Sequence, residues 1–351
     1  MNEVVSKQTN RGKGLRPVLG FLNDWGIVLA ILALVLFFAT TAPTFLQGTN
    51  LINILRSISI VTIIAIGLTV SLTINGFDLS VGSTATLASS FVVSFFVWYS
   101  LPLGVSIGLA LILSLSVALL NILLIVWFKI PDLFATLATM FIVEGAAMTY
   151  TGGGSISAGM PRLDGTPTVG TIPEAFAKIS QAPWIIVIML VVVAVTHVFL
   201  SHTRHGRFLY IIGGNPEAAR LTGIRVNRYR ALAYLIAGLF AAVGGILLAS
   251  QVGSSQINAG SGYLMPAVAA AFIGSSFAGQ GKPNALGTLV GACLVGILEN
   301  GLVMLSVPYY SLNIIKGLVL ALALATTYAR YRKKQLKFDV SFITYSVIFN
   351  I

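Results

Sequence analysis

The chain has 351 residues, 56% of them hydrophobic and only 9% charged, with a mean hydropathy of +0.93 and a formal net charge of +11. Soluble domains carry about a quarter charged residues, so this composition excludes an ordinary soluble enzyme and makes lipid the solvent for most of the chain. The excess of positive charge is not a nucleic-acid footprint, because it falls in short runs beside apolar segments without interleaved aromatics.

Residues 1–25 form a basic arm with Lys7, Arg11, Lys13 and Arg16. Apolar runs then recur near 26–42, 57–75, 82–99, 104–128, 133–150, 184–201, 231–251, 264–281, 285–306 and 313–329. In a bilayer every backbone polar group must be satisfied internally. The runs are continuous and do not alternate, which excludes a barrel. The expectation is an all-α polytopic membrane bundle of about ten transmembrane helices, spanning 26–329, with the first span retained rather than cleaved. Cys293, the lone cysteine, sits inside an apolar run and reads as a packing residue.

Three further stretches punctuate the bundle. Residues 152–182 are rich in Gly, Ser, Thr and Pro, with a short helix expected at PEAFAKI. Residues 202–230 hold six arginines between Arg204 and Arg230. Residues 330–351 begin with Arg330, Arg332, Lys333, Lys334 and Lys337 and end in FDVSFITYSVIFNI, too short to span. With ten spans, the N-terminal arm, the 202–230 loop, the C-terminal tail, Lys129 and Lys282 all lie on one side, which holds 17 of the 21 lysines and arginines. The positive-inside rule makes that side the cytoplasm and 152–182 a periplasmic loop. Ten spans divide as five plus five, and an odd number per half permits an inverted repeat. GFDLSVGSTATLASSF (76–91) and GSGYLMPAVAAAFIGSSF (260–277) share small-residue spacing in corresponding places.

The candidate functional residues follow from local chemistry. Asn75, Asp78 and Ser80 lie in a glycine-flanked break between two apolar runs. Either Asp78 or Ser80 is suited to cap the next helix, and either is suited to face a polar path. Gly260, Gly262 and Tyr263 precede Pro266 and form a second discontinuous start. Glu144, His197, Glu299 and Lys316 are ionisable residues within spans, and Glu299 and Lys316 are expected to pair. In the arginine-rich loop, Gly214 leads to Asn215 as a cap, Pro216 at the first helical position and Glu217 on the helix dipole. Ala218 and Ala219 follow, Gly223 ends the turn, and Arg225 leads into the next span. That spells a two-turn helix over 216–222, a lever held between two spans. No phosphate-binding P-loop, metal-ligand cluster or nucleophile elbow is written in the chain, so no cofactor and no metal is expected, and the chain is not read as an enzyme.

GFDLSVGS, YTGGG, LSHTRHGRFLYIIGGNPEAARLTGIRV and AGSGYLMPAVAAAFIGSSFAGQGKPNALGTLVGA resemble the ribose-type permease subunits of bacterial ABC importers. This family includes permeases for ribose, xylose, arabinose, galactosides and autoinducer-2. The likeness runs from about residue 28 to 334, and Glu217-Ala218-Ala219-x-x-x-Gly223 fits the family's cytoplasmic coupling segment. Phe77 stands where relatives usually carry isoleucine, and the chain after Lys337 does not look like the family. The resemblance implies cytoplasmic ATPase subunits docked on the coupling segment and an extracytoplasmic sugar-binding protein. It also implies a second permease copy or close relative, as homodimer or heterodimer, in the inner membrane. The alternatives are an ion-coupled secondary transporter using Glu144 and Glu299, a related ABC permease for nucleosides, branched amino acids or autoinducer-2, and an intramembrane enzyme.

Overall fold

The computed structural model describes residues 15–277, 281–308, 310–321 and 325. The expected tail at 330–351 and the first part of the basic arm lie outside these residues. The described chain is a run of helices: α1 (Leu15–Thr41), α2 (Gly48–Thr73), α3 (Val81–Val97), α4 (Leu103–Ile122), α5 (Asp132–Thr151), α6 (Glu174–Ile179), α7 (Trp184–His202), α8 (Arg204–Gly214), α9 (Pro216–Leu221), α10 (Val226–Val252), α11 (Ser261–Ser275) and α12 (Ala285–Met304). A final helix, α13, covers Tyr310–Ala321. A π turn over Leu123–Trp127 extends α4. Six helices are long and apolar enough to cross a membrane: α2, α4 with its extension, α5, α7, α10 and α12. Four shorter apolar helices (Gly26–Thr41, α3, α11 and α13) complete the set. Each apolar run expected from the sequence overlaps one of these helices; 278–280 of the 264–281 run and most of the 313–329 run beyond 321 lie outside the described residues.

Several helices start earlier than their apolar runs. α1 begins at Leu15 rather than near 26, and α2 at Gly48 rather than near 57. Two polar residues in the early turns of α2 find partners, which helps helix persist there. Asn50 and Asn300 exchange amide hydrogen bonds of 3.1 and 3.0 Å, and Arg56 Nε donates to the Ser180 carbonyl at 3.1 Å.

α2 and α10 form the centre. In α2, 67% of the most apolar window is enclosed by protein, and in α10 61%, against 28% for α5 and for α7. The two helices cross on small residues; a Cβ on Gly67 would lie 2.8 Å from the Ala237 carbonyl oxygen. Without a hydrophobic drive between helices in lipid, such close backbone approach supplies the packing. α10 packs on α3 and α4, the two apolar helices after α2, whereas α2 packs on α11 and α12, the two after α10. This exchange of neighbours is what a two-fold internal repeat produces.

The long 152–182 segment is anchored at several points. Phe176 of α6 is fully buried, its ring 4.9 Å from that of Phe96. Ser250 Oγ donates to the Phe176 carbonyl at 2.5 Å. Arg162 Nε donates to the Trp98 carbonyl at 2.9 Å, and its guanidinium lies 4.8 Å from the Tyr99 ring centroid. An antiparallel bridge joins Ile156 to Ser255 through two bonds of 2.9 Å.

Candidate coupling and translocation site

At the end of the bundle that carries the arginine-rich loop, the sequence expectation of one short helix holds with one addition. Asn215 caps α9, its Oδ1 accepting from the Glu217 and Ala218 amides at 3.0 Å each, with Pro216 at the start of the helix. Gly223 has φ +82°. The Gly223 amide donates to the Arg220 carbonyl at 2.9 Å and that of Ile224 to Ala219 at 3.1 Å, so the left-handed glycine closes the helix. Of the candidate coupling residues, Ala219 is buried, while Gly214, Asn215, Pro216, Glu217, Ala218, Gly223 and Arg225 are exposed. Glu217 pairs with Arg220 at 2.9 Å on the exposed face. Leu221 is 90% exposed. The sequence reading did not single it out, although it lies two positions from the inward Ala219 and so points the other way on a helix.

The addition is α8, which the sequence reading treated as loop. Thr203 caps it by accepting from the Gly206 amide at 3.1 Å. Gly206, Leu209 and Ile212, three apart, are its buried face. Those three positions were the available signal, hidden by the flanking arginines. α8 touches two parts of the bundle. Gly213 lies against the Thr73 carbonyl and the Ile74 backbone, with no room for a Cβ. Tyr210 Oη donates to the Pro283 carbonyl at 2.6 Å, in the turn before α12. Burial pushes the Tyr210 hydroxyl up to about 12, so it stays a donor across neutral pH. Tyr229 at the start of α10 closes the other side, with Oη 3.0 Å from His205 Nδ1 and its ring edge-on to Phe208 at 5.5 Å.

The two helix breaks occupy the interior. Asn75, at φ +61°, is exposed, whereas Asp78 and Ser80 are buried. Asp78 Oδ1 accepts from the Ser80 amide at 2.9 Å and from Ser80 Oγ at 2.6 Å. Asn121 Nδ2 donates to Ser80 Oγ at 2.8 Å. Asn121 was missed by the sequence reading, though a lone amide in the apolar stretch of α4 is a signal of an interior polar contact. In the second break, Gly260 is buried, Gly262 is exposed and Tyr263 is part-buried. The Gly260 amide donates to Thr86 Oγ1 at 3.0 Å, and a Cβ on Gly82 would lie 3.1 Å from the Gly260 carbonyl oxygen. The structure therefore brings the two breaks together on the first turns of α3, with Gly213 of the candidate coupling segment touching the end of α2 just before the first break.

The spanning ionisable residues separate. Glu299 and Lys316 form the expected pair, Nζ to Oε1 2.5 Å, a close ionic contact without the angle of a directed hydrogen bond. Glu144 on α5 is part-buried, and His197 sits near the end of α7 with its ring 5.8 Å from that of His202. Among the described residues no three His, Cys, Asp or Glu side chains converge as a metal site.

Residues 50–324 match the family described as the branched-chain amino acid transport system permease component. The chain belongs to this permease family. It is 33% identical over 303 residues to the ribose import permease protein of Escherichia coli K12, covering 86% of this chain and 93% of the relative. It is 33% identical over 308 residues to the ribose import permease protein of Bacillus subtilis, covering 87% and 92%. Against the galactose/methyl galactoside import permease protein of E. coli K12 the identity is 31% over 334 residues, covering 91% and 98%. No solved structure matches the chain. The permease is thus a transport component rather than an enzyme, and its helices are those of a membrane subunit.

Proposed function

We propose that this permease is the membrane subunit of an ATP-driven importer for a ribose-like monosaccharide. The observation that carries the reading is α9: a capped helix that buries only Ala219, presents Glu217, Ala218, Arg220 and Leu221 outward, and is held between α8 and α10. A separate ATPase subunit docks on this face in the cytoplasm, with Leu221 as its apolar anchor. Both chain termini lie on that side, as the lysine and arginine distribution favours. An extracytoplasmic binding protein delivers the sugar to the end that carries residues 152–182, and a second copy of the chain or a close relative completes the transporter within the lipid. The path runs past the two breaks, with Asn75, Asp78, Ser80, Gly260, Gly262 and Tyr263 contributing to it. The neighbour exchange between α2 and α10 supports the five-plus-five inverted repeat. The names of the relatives support a pentose or hexose as cargo.

Movement of α9 biases the bundle only when its contacts differ between the ATP-bound and ATP-free states. The deciding experiment reconstitutes the permease with its ATPase and binding protein in proteoliposomes and measures labelled ribose uptake. Uptake should require ATP, ignore an uncoupler, and disappear on Glu217→Ala or Gly223→Val without loss of membrane insertion. Uptake that survives without ATP but collapses with the uncoupler would replace this reading with ion coupling. Competition by leucine rather than ribose would move the cargo to the amino acids named in the family description.

A further inference from the structure

The coupling segment is tied to the first helix break by a second connection, which neither the motif nor the family name contains. Arg230, on the first turns of α10, pairs through Nη2 with Oδ1 of Asp132 at the start of α5. Tyr234, one turn further along α10, donates its hydroxyl to the other carboxylate oxygen of Asp132 at 2.7 Å. Both oxygens of one carboxylate are therefore held by one helix. That helix emerges directly from the coupling segment. The carboxylate side chain is 14% exposed and the guanidinium 32%, so water screens the pair only in part.

The same cluster presses on the break. A Cβ on Gly76 would lie 2.6 Å from Tyr234 Oη and 2.9 Å from Asp132 Oδ2, so the Gly76 backbone rests on both groups. One turn into α5, the Thr136 hydroxyl lies 3.0 Å from the Phe77 carbonyl and 2.9 Å from the Asp132 carbonyl, its single proton shared between them. From the other side, Gly213 at the end of α8 abuts Thr73 and Ile74. The Asn75–Ser80 break is thus held between the two helices that flank α9. Asp78 lies near enough to Asp132 for the two carboxylates to repel, and the charge that Arg230 offsets is that of Asp132.

We propose that Asp132 is the positioning residue that carries movement of the coupling segment to the α2–α3 break, with Arg230 and Tyr234 as its grips on α10. This rests on the importer reading above and adds to it the element that α9 moves. When ATP closure displaces α9, α10 drags the Asp132 carboxylate, and α5 shifts the Phe77 carbonyl through Thr136. The break then rearranges around Asp78 and Ser80. An α10 that slid free of α5 would leave the break where it was.

The test uses the complete transporter in proteoliposomes with wild type, Asp132→Asn, Asp132→Glu, Tyr234→Phe and, as an exposed control on the same turn, Arg228→Gln. The first readout is sugar imported per ATP hydrolysed. Asp132→Asn should lower this ratio by about ten-fold or more, in the range of ordinary allosteric coupling, with hydrolysis near wild type. Tyr234→Phe should lower it less, Asp132→Glu should recover part of it, and Arg228→Gln should leave it unchanged. The second readout is hydrogen exchange. ATP should alter exchange in both 216–222 and 73–80 in wild type, but only in 216–222 in Asp132→Asn. A normal import ratio and a normal response at 73–80 in Asp132→Asn would overturn the proposal. Should Asp132→Asn fail to insert, a wild-type ratio and response in Tyr234→Phe overturns it instead. Absence of ATP-dependent uptake in wild type sinks the importer reading itself, and the two failures are thereby told apart.

Discussion

Leu221 exposes nine-tenths of its surface on a helix that buries only Ala219. Burying a leucine is worth about 1.5–3 kcal/mol, so Leu221→Asp should weaken ATPase binding by about 10-fold or more, read by pull-down titration of the detergent-solubilised permease. The cap at Asn215 satisfies two amides, and Asn215→Ala should cost about 1 kcal/mol of local helix stability, read as faster hydrogen exchange confined to 216–222. Tyr210 offers a pH test. Its hydroxyl is raised from 10.0 to about 12 by burial, so the folded state holds that proton more tightly than the unfolded one. The sign follows: the contribution is complete below pH 10 and is lost as pH rises from 10 towards 12. The stability gap between wild type and Tyr210→Phe should be constant from pH 7 to 9 and should shrink above pH 10, as followed by thermal melting. At this scale the sequence was most readable where chemistry is local. Asn215, Pro216 and Gly223 each act on atoms within a few residues of themselves. Asp132 and Arg230 are 98 residues apart and Tyr234 lies beyond them; nothing in the periodicity of either helix pairs them, so only the fold reveals the cluster.

Among the elements, the long spans were legible and the short helices only in part. α4 with its π extension, α7 and α12 run within a residue or two of their apolar stretches, because composition alone marks a lipid-solvated helix. α8 was hidden because its inward stripe is only Gly206, Leu209 and Ile212, set among charged residues. α3 and α11 were recognised as discontinuous from their glycines, but their meeting at Gly82 and Gly260 is a tertiary fact. Substituting Gly260→Val should force α11 off α3, since the Gly82 backbone and Thr86 leave no room for a side chain. Overpacking of this kind costs about 1–3 kcal/mol, to be seen as a lower melting temperature of the purified permease. A cysteine scan across 75–82 addresses the path directly: a thiol-accessible position during turnover is the expected outcome, and none across the whole stretch would remove this break from the route.

For the whole molecule, the Glu299–Lys316 pair bears on how transport is powered. Glu299 is already neutralised by a lysine 2.5 Å away, which argues against its acting as a free proton carrier. Lys316→Met should destabilise the bundle by about 3 kcal/mol, the lower end for orphaning one member of a buried pair because the two side chains keep some exposure. Adding Glu299→Gln should restore most of that loss while leaving ATP-driven uptake intact, as judged by melting and by the uptake assay. The bridge between Ile156 and Ser255 carries a different consequence. Two peptide hydrogen bonds tie the long loop to the backbone just ahead of α11, with few residues of slack between them and Gly260. A tug on the loop is therefore felt several residues away, at the foot of a helix seated against α3, as a taut cord passes on a load that a slack one would absorb. Cutting one strand of that cord, by proline at 156, which removes the amide donor and keeps the carbonyl, would leave the loop freer to greet a visitor without the interior noticing its arrival.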